Sequence, residues 1–115
     1  MKYELIEHYS RSEIEKAFIE NDTDKLLLMV LSVALYSDDY KYAENFCVQL
    51  SNHECFAVRG NAIQGFGHIA RIHDKLDEER IKPIIEKALK DENKFVRSNA
   101  VDAEDDTTIF LKWKY

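Results

Sequence analysis

The sequence predicts an all-helical protein, and three observations carry that expectation. Strand-joining turns rely on Gly, Pro and Asn-Gly or Asp-Gly pairs, whereas this chain of 115 residues holds three glycines, one proline and neither pair. Apolar residues recur at i, i+3 and i+4 instead of alternating. Third, Val58-Arg59-Gly60-Asn61-Ala62 returns 38 positions later as Val96-Arg97-Ser98-Asn99-Ala100, each copy following a short polar turn and opening an apolar-striped stretch. A period near 40 residues with two helices per unit belongs to helical solenoids, in which each helix pair buries its face on its neighbours.

Taken in order, residues 2–9 form a short helix with Leu5 and Ile6 between charged neighbours. Ser12 and Glu15 fit a capping box, in which hydroxyl and carboxylate satisfy each other's orphan amides, so a second helix spans about 13–20 with Ile14, Ala17 and Phe18 on one face. Asn21-Asp22-Thr23 stops it and starts the next. Residues 25–36 are apolar on every side, so that helix must be covered all round and belongs at the centre of the N-terminal half. Ser37-Asp38-Asp39 caps a fourth helix, 40–50, with Ala43, Phe46, Cys47 and Leu50 on one face.

Residues 51–54 are a turn, and the fifth helix, 56 to about 72, turns Val58, Ala62, Phe66 and Ile69 inward. Gly65 and Gly67 lie inside it, each costing about 0.5–1 kcal/mol against alanine, which close approach of a neighbouring helix would offset. Asp77 caps a sixth helix to about residue 90, in which Pro83 removes an amide donor and imposes a kink or marks the true start. A seventh begins near residue 94, buries Phe95, Val96, Ala100 and Ala103, and loses definition at Glu104-Asp105-Asp106. Trp113 and Tyr115 then either cover the last helix pair as a terminal cap, as solenoid ends require, or stand exposed as an anchor for a partner.

Length and composition give one domain over residues 1–115, with 45% hydrophobic residues for a modest core. Within it the divisions are degenerate N-terminal helices over 1–36, repeats over 40–72 and 77–106, and a tail over 107–115. The formal charge of -6 argues against nucleic acid, whose phosphates need a cationic face, and suits a basic partner instead. Two cysteines make no disulfide framework and no signal peptide is recognisable, so a reducing cytoplasm is the expected compartment. The longest apolar run, 26–35, is half the roughly 20 residues of a membrane span.

The repeat resembles the HEAT-repeat family. Leu89-Lys90-Asp91-Glu92-Asn93-Lys94-Phe95-Val96-Arg97-Ser98-Asn99-Ala100 carries that family's turn aspartate at Asp91 and its helix-opening Val-Arg, and Pro83 matches its first-helix proline. The earlier copy lacks the aspartate and offers Asn52 or Glu54. The resemblance implies a short right-handed solenoid of six to seven helices in antiparallel pairs, in which Arg59 and Arg97 pair with the turn carboxylate of a neighbouring unit. The whole chain is also similar to short bacterial proteins that begin Met-Lys-Tyr-Glu-Leu and carry Val-Arg-Gly, here Val58-Arg59-Gly60, and then Gly67-His68-Ile69-Ala70-Arg71-Ile72-His73. That resemblance implies an immunity protein of a contact-dependent growth inhibition system. Such a protein binds a toxin domain, often a nuclease such as an RNase, and covers its active site. It would be a monomer when free and a heterodimer with the toxin. The other function class is a HEAT-like adaptor or scaffold without a toxin.

No catalytic, cofactor or metal site is expected. His53, Cys55, His68 and His73 follow no zinc spacing, Cys47 lies on an apolar face, and no glycine-rich phosphate loop exists. The partner-binding candidates are the stripe opposite the core on the fifth helix, Asn61, Gln64, His68 and Arg71, with Asp102, Asp105 and Asp106 one unit later. Tyr36, Asp38 and Asp39 extend this into an acidic and aromatic strip suited to a cationic protein.

Overall fold

The computed structural model describes residues 8–115. The helix expected over residues 2–9 lies outside them, apart from His8 and Tyr9, which are not helical. The described residues form six helices and no strand: α1 (Arg11–Glu20), α2 (Thr23–Tyr36), α3 (Tyr40–Leu50), α4 (Phe56–His73), α5 (Glu78–Ala88) and α6 (Lys94–Leu111). Helix α1 packs on α2, α3 on α4 and α5 on α6, while α4 touches both α2 and α6. The Asn61 amide, near the head of α4, donates to Leu27 O near the head of α2, and His73 at the end of α4 donates through Nε2 to Ser37 O just beyond α2. Likewise Gly60 faces Phe95 and Asn99, and Gly67 faces Asp106. The second helices of the three pairs therefore lie side by side in one direction, with α4 in the middle.

This position explains the composition of α4. Val58, Ala62, Ile63, Phe66 and Ile69 are buried, and so are all three glycines. A Cβ at Gly65 would stand 2.6 Å from Cys47 Sγ and 3.3 Å from Ala34 Cβ, both in the closed core. Each large apolar side chain buried here contributes about 1.5–3 kcal/mol, which outweighs the roughly 1 kcal/mol helix cost of each glycine. Helix α2, expected to be covered all round, is not: Leu28 is exposed on its free side, while Leu26, Met29, Val30 and Val33 enter the core.

The ends of the helices correct several sequence expectations. Two overlapping Ser-x-x-Glu pairs were available for α1, and the box forms on Ser10 and Glu13, not on Ser12 and Glu15. The Ser10 hydroxyl accepts from Glu13 N at 3.1 Å, and Glu13 Oε1 accepts from Ser10 N at 3.0 Å. The earlier start puts Arg11 against Asp39 and over the Tyr42 ring. Asp77 makes no side-chain cap on α5; its amide donates to Glu44 Oε2 of α3. Pro83 sits inside α5, not at its start. Helix α6 continues through Glu104-Asp105-Asp106 because those residues lie at or near the surface while Ala103 and Thr107 stay buried on the inner line. Beyond α6 the chain turns back at Lys112 with φ 61°, Trp113 is buried, and the Tyr115 and Thr107 hydroxyls bond at 2.7 Å.

The repeat has a common joint. Arg59 donates through Nη1 to His53 O and Glu54 O of its own turn, and Arg97 does the same to Asp91 O and Glu92 O. Arg59 also grips Asp91 of the following turn with two bonds, Nε to Oδ2 at 2.8 Å and Nη2 to Oδ1 at 2.9 Å. The residue in the Asp91 position of the first copy is His53, not Asn52 or Glu54. His53 Nδ1 accepts from Cys55 N as Asp91 Oδ1 accepts from Asn93 N, and His53 Nε2 donates to Asn21 Oδ1 of the preceding turn. An imidazole thus stands where the second copy has a carboxylate, donating to an amide oxygen where Asp91 accepts from a guanidinium.

The hydrogen bonds from Arg59 hold the Asp91 carboxyl below the usual aspartate range, and burial only partly opposes them. A lowered folded pKa makes this contribution complete near neutrality and lost as pH falls below the ordinary value through the lowered one. Asp91→Asn should cost about 2–4 kcal/mol near neutrality in urea unfolding and flatten the acid limb of the stability curve. An equal loss from an exposed control such as Glu92→Gln would contradict the joint.

Candidate partner-binding surface

The parallel run of α4 and α6 brings together two stripes that lie far apart in sequence. At Gly67 a Cβ would meet Asp106 Oδ2 at 2.5 Å, so the missing side chain lets the acidic half of α6 lie directly against α4. Arg71 and His68 are one turn apart on α4, and Arg71 Nη2 donates to His68 Nδ1 at 2.8 Å. An arginine can only donate, so the Nδ1 is unprotonated. Burial pushes the His68 pKa down to about 4, with the Arg71 charge adding to the fall, and the ring is neutral near pH 7. Burial raises the Asp106 pKa; Arg71 opposes this, and Asp102 and Asp105 reinforce it. Arg71, Asp102 and Asp105 are exposed, and Gln64 and Asp106 are half-buried.

Two members of the expected outward stripe are not on the surface. Asn61 and His68 are buried, because α4 is an inner helix whose outer line is closed in by its flanking helices. Asn61 joins α4 to α2 through the Leu27 carbonyl. Tyr36 is half-buried and stacked on His8 with ring centroids 4.0 Å apart. Asp39 is the N-cap of α3, accepting from Lys41 N and Tyr42 N, and pairs with Arg11 at 3.3 Å. Asp38 is exposed and makes none of these bonds. The bond from His73 to Ser37 O fixes this turn beside the end of α4. Tyr36, Asp38 and Asp39 therefore share with Arg71 and Asp106 the end of the layer where α2 and α4 finish.

Sequence reasoning missed the role of His53, although its 38-residue offset from Asp91 was a readable signal. It also missed the exposure of Phe95, which the structure leaves 42% accessible and edge-on to Phe56, with centroids 6.0 Å apart.

Among the described residues no three His, Cys, Asp or Glu side chains converge as metal ligands, and no helix is long and apolar enough to cross a membrane. Cys47 is wholly buried, and burial, with Glu44 beside it, pushes its thiol up to about 12. That suppresses the thiolate any nucleophilic role would need.

The chain is similar from end to end to a chain in the crystal structure of a CDI complex from Cupriavidus taiwanensis. The two share 26% identity, the match covers 96% of this chain and 97% of that one, and the TM-score is 0.79. No protein-family model matches the chain, and no curated protein does.

The unfolded chain protonates a histidine near pH 6.5, whereas the folded protein keeps His68 neutral to about 4. The contribution of the neutral ring is therefore present above pH 6.5 and declines as pH falls from there toward 4. In a two-dimensional NMR titration the His68 ring should stay neutral at pH 5, and His68→Gln should remove that part of the pH slope in stability. A His68 midpoint at or above 6 would contradict its burial.

Proposed function

We propose that this protein is an immunity protein: it binds the toxin domain of a contact-dependent growth inhibition system and neutralises it by covering the active site. The observation that carries the reading is the end-to-end likeness to a chain of a CDI complex, with nearly all of both chains matched at 26% identity. The physical character of the chain supports a cationic partner. It carries a formal charge of -6, and Asp38 just beyond α2 and Asp102 and Asp105 on α6 stand exposed. A toxin that cleaves RNA needs a basic surface for its substrate, and an acidic inhibitor is the complement of such a surface.

In this reading the protein is a single HEAT-like solenoid unit that acts by binding alone, in the cytoplasm, as a monomer that becomes a heterodimer with the toxin. The candidate contacts are Gln64, Arg71, Asp102 and Asp106 along the α4–α6 seam and Asp105 on the outer side of α6, with Tyr36 and Asp38 beside them. Asn61, His68 and Asp39 support that surface from beneath or from its edge.

The test is a binding titration against the toxin-like domain encoded beside this gene. Tight one-to-one binding that blocks the domain's nuclease activity is expected. Asp102→Lys with Asp105→Lys should slow association about ten-fold at low salt, with a smaller effect at high salt. No complex with the neighbouring product, together with a concentration-dependent self-dimer, would favour a scaffold and overturn the proposal.

A further inference from the structure

Among the described residues, the internal joint between α4 and α6 has an unoccupied copy at the end of the stack. The positions of α4 that receive α6 are set by contact: Phe56 lies edge-on to Phe95, Gly60 faces Phe95 and Asn99, and Gly67 faces Asp106. Ile63 is on the same line and is 1% exposed. Thirty-eight residues on, these positions are Lys94, Ser98, Asp105 and Val101, and all four are exposed. Val101, in the place of Ile63, is 46% exposed, and Ile109 one step further along is 58% exposed. The terminal segment does not cover this edge: Trp113 and Tyr115 fold back onto Thr107 and toward Lys82 of α5.

The arginine belonging to the joint is also in place. Arg97 Nη1 is tied to the carbonyls of Asp91 and Glu92, as Arg59 Nη1 is tied to those of His53 and Glu54. In Arg59 the remaining edge, Nε and Nη2, grips a carboxylate; in Arg97 that edge pairs with no carboxylate among the described residues. A guanidinium fixed by two carbonyls has already lost much of its rotamer freedom, so a carboxylate that meets it forfeits less entropy on binding.

We infer that the outer edge of α6 is the seat of the toxin partner, which supplies a carboxylate to Arg97 and an apolar contact to Val101 and Ile109. This rests on the function proposed above and specifies which face the toxin takes. The partner chemistry follows from continuity with the internal joint and from charge. Arg97 and Lys94 at the head of α6 call for a carboxylate, the middle is apolar, and Asp102 and Asp105 call for cations. A second copy of this chain fits less well, because two bodies of charge -6 repel.

The experiment uses the full chain and the toxin domain encoded beside it, with calorimetric titration of four proteins: wild type, Val101→Asp with Ile109→Asp, Arg97→Gln, and Ile19→Asp. Ile19 is 81% exposed on α1 and serves as the remote control. Circular dichroism and thermal melts establish that each variant is folded. Wild type and Ile19→Asp should bind alike, the double variant should lose about 100-fold or more in affinity, and Arg97→Gln about ten-fold. Unchanged binding by the folded double variant and by Arg97→Gln, beside tight binding by wild type, overturns this inference and leaves the immunity function standing. A wild type that does not bind the domain overturns both. A self-dimer abolished by the double variant assigns the edge to a second copy and overturns the inference.

Discussion

The close contact of α4 with its neighbours is the constraint on which the rest of the structure depends. A central helix can bury nearly every face only if the helices beside it come in tightly, and Gly60, Gly65 and Gly67 make that approach possible. Tight approach alone would leave the turns free to slide. Arg59 prevents this by holding two carbonyls of its own turn and the Asp91 carboxylate of the next. Burial supplies most of the stability here, while the bidentate pair sets the register: an ion pair this enclosed contributes little net energy over an apolar substitute, yet its rupture strands a charge. The register in turn decides which residues of α6 face α4 and which face out.

That geometry gives the molecule two differently charged edges. Along the α4–α6 seam, neutral His68 receives a bond from exposed Arg71, so that cation is partly engaged while Asp102, and Asp105 on the outer side of α6, remain open. At the head of α6, Arg97 and Lys94 reverse the sign over one helix length. A surface that changes sign over so short a distance discriminates between partners better than a uniformly acidic one, because a wrong partner meets like charge at one end or the other.

Much of this was legible in the sequence, and the reasons are local. The start of α3 followed from an aspartate ahead of an apolar stripe, and the all-helical class from scarce glycine and the repeat of Val-Arg-x-Asn-Ala. The pairing of Arg59 with a neighbouring turn followed from the HEAT resemblance. Other features depended on information no single helix carries. Asn61 and His68 lie on the polar stripe of α4 when that helix is drawn alone; they are buried because α2 and α6 close over it, which is a property of the stack. Ser10 and Ser12 offered equivalent caps, and the choice tracks Arg11 reaching Asp39, 28 residues away. The acidic run at the end of α6 looked like a terminus by composition, yet Ala103 and Thr107 kept the inner line apolar enough to continue the helix. His53 went unrecognised because a histidine does not resemble the aspartate it replaces, although it stands one repeat, 38 residues, before Asp91.

The central claim is that the internal helix joint is repeated, unfilled, on the outer edge of α6 and that a toxin domain fills it. Hydrogen–deuterium exchange of the chain alone and in complex with the neighbouring toxin domain addresses this most directly. The account predicts new protection across residues 94–110 on complex formation, with α1 (Arg11–Glu20) unchanged. Protection confined to α1 or to the outer sides of α3 and α5, with α6 exchanging as freely as before, would contradict it.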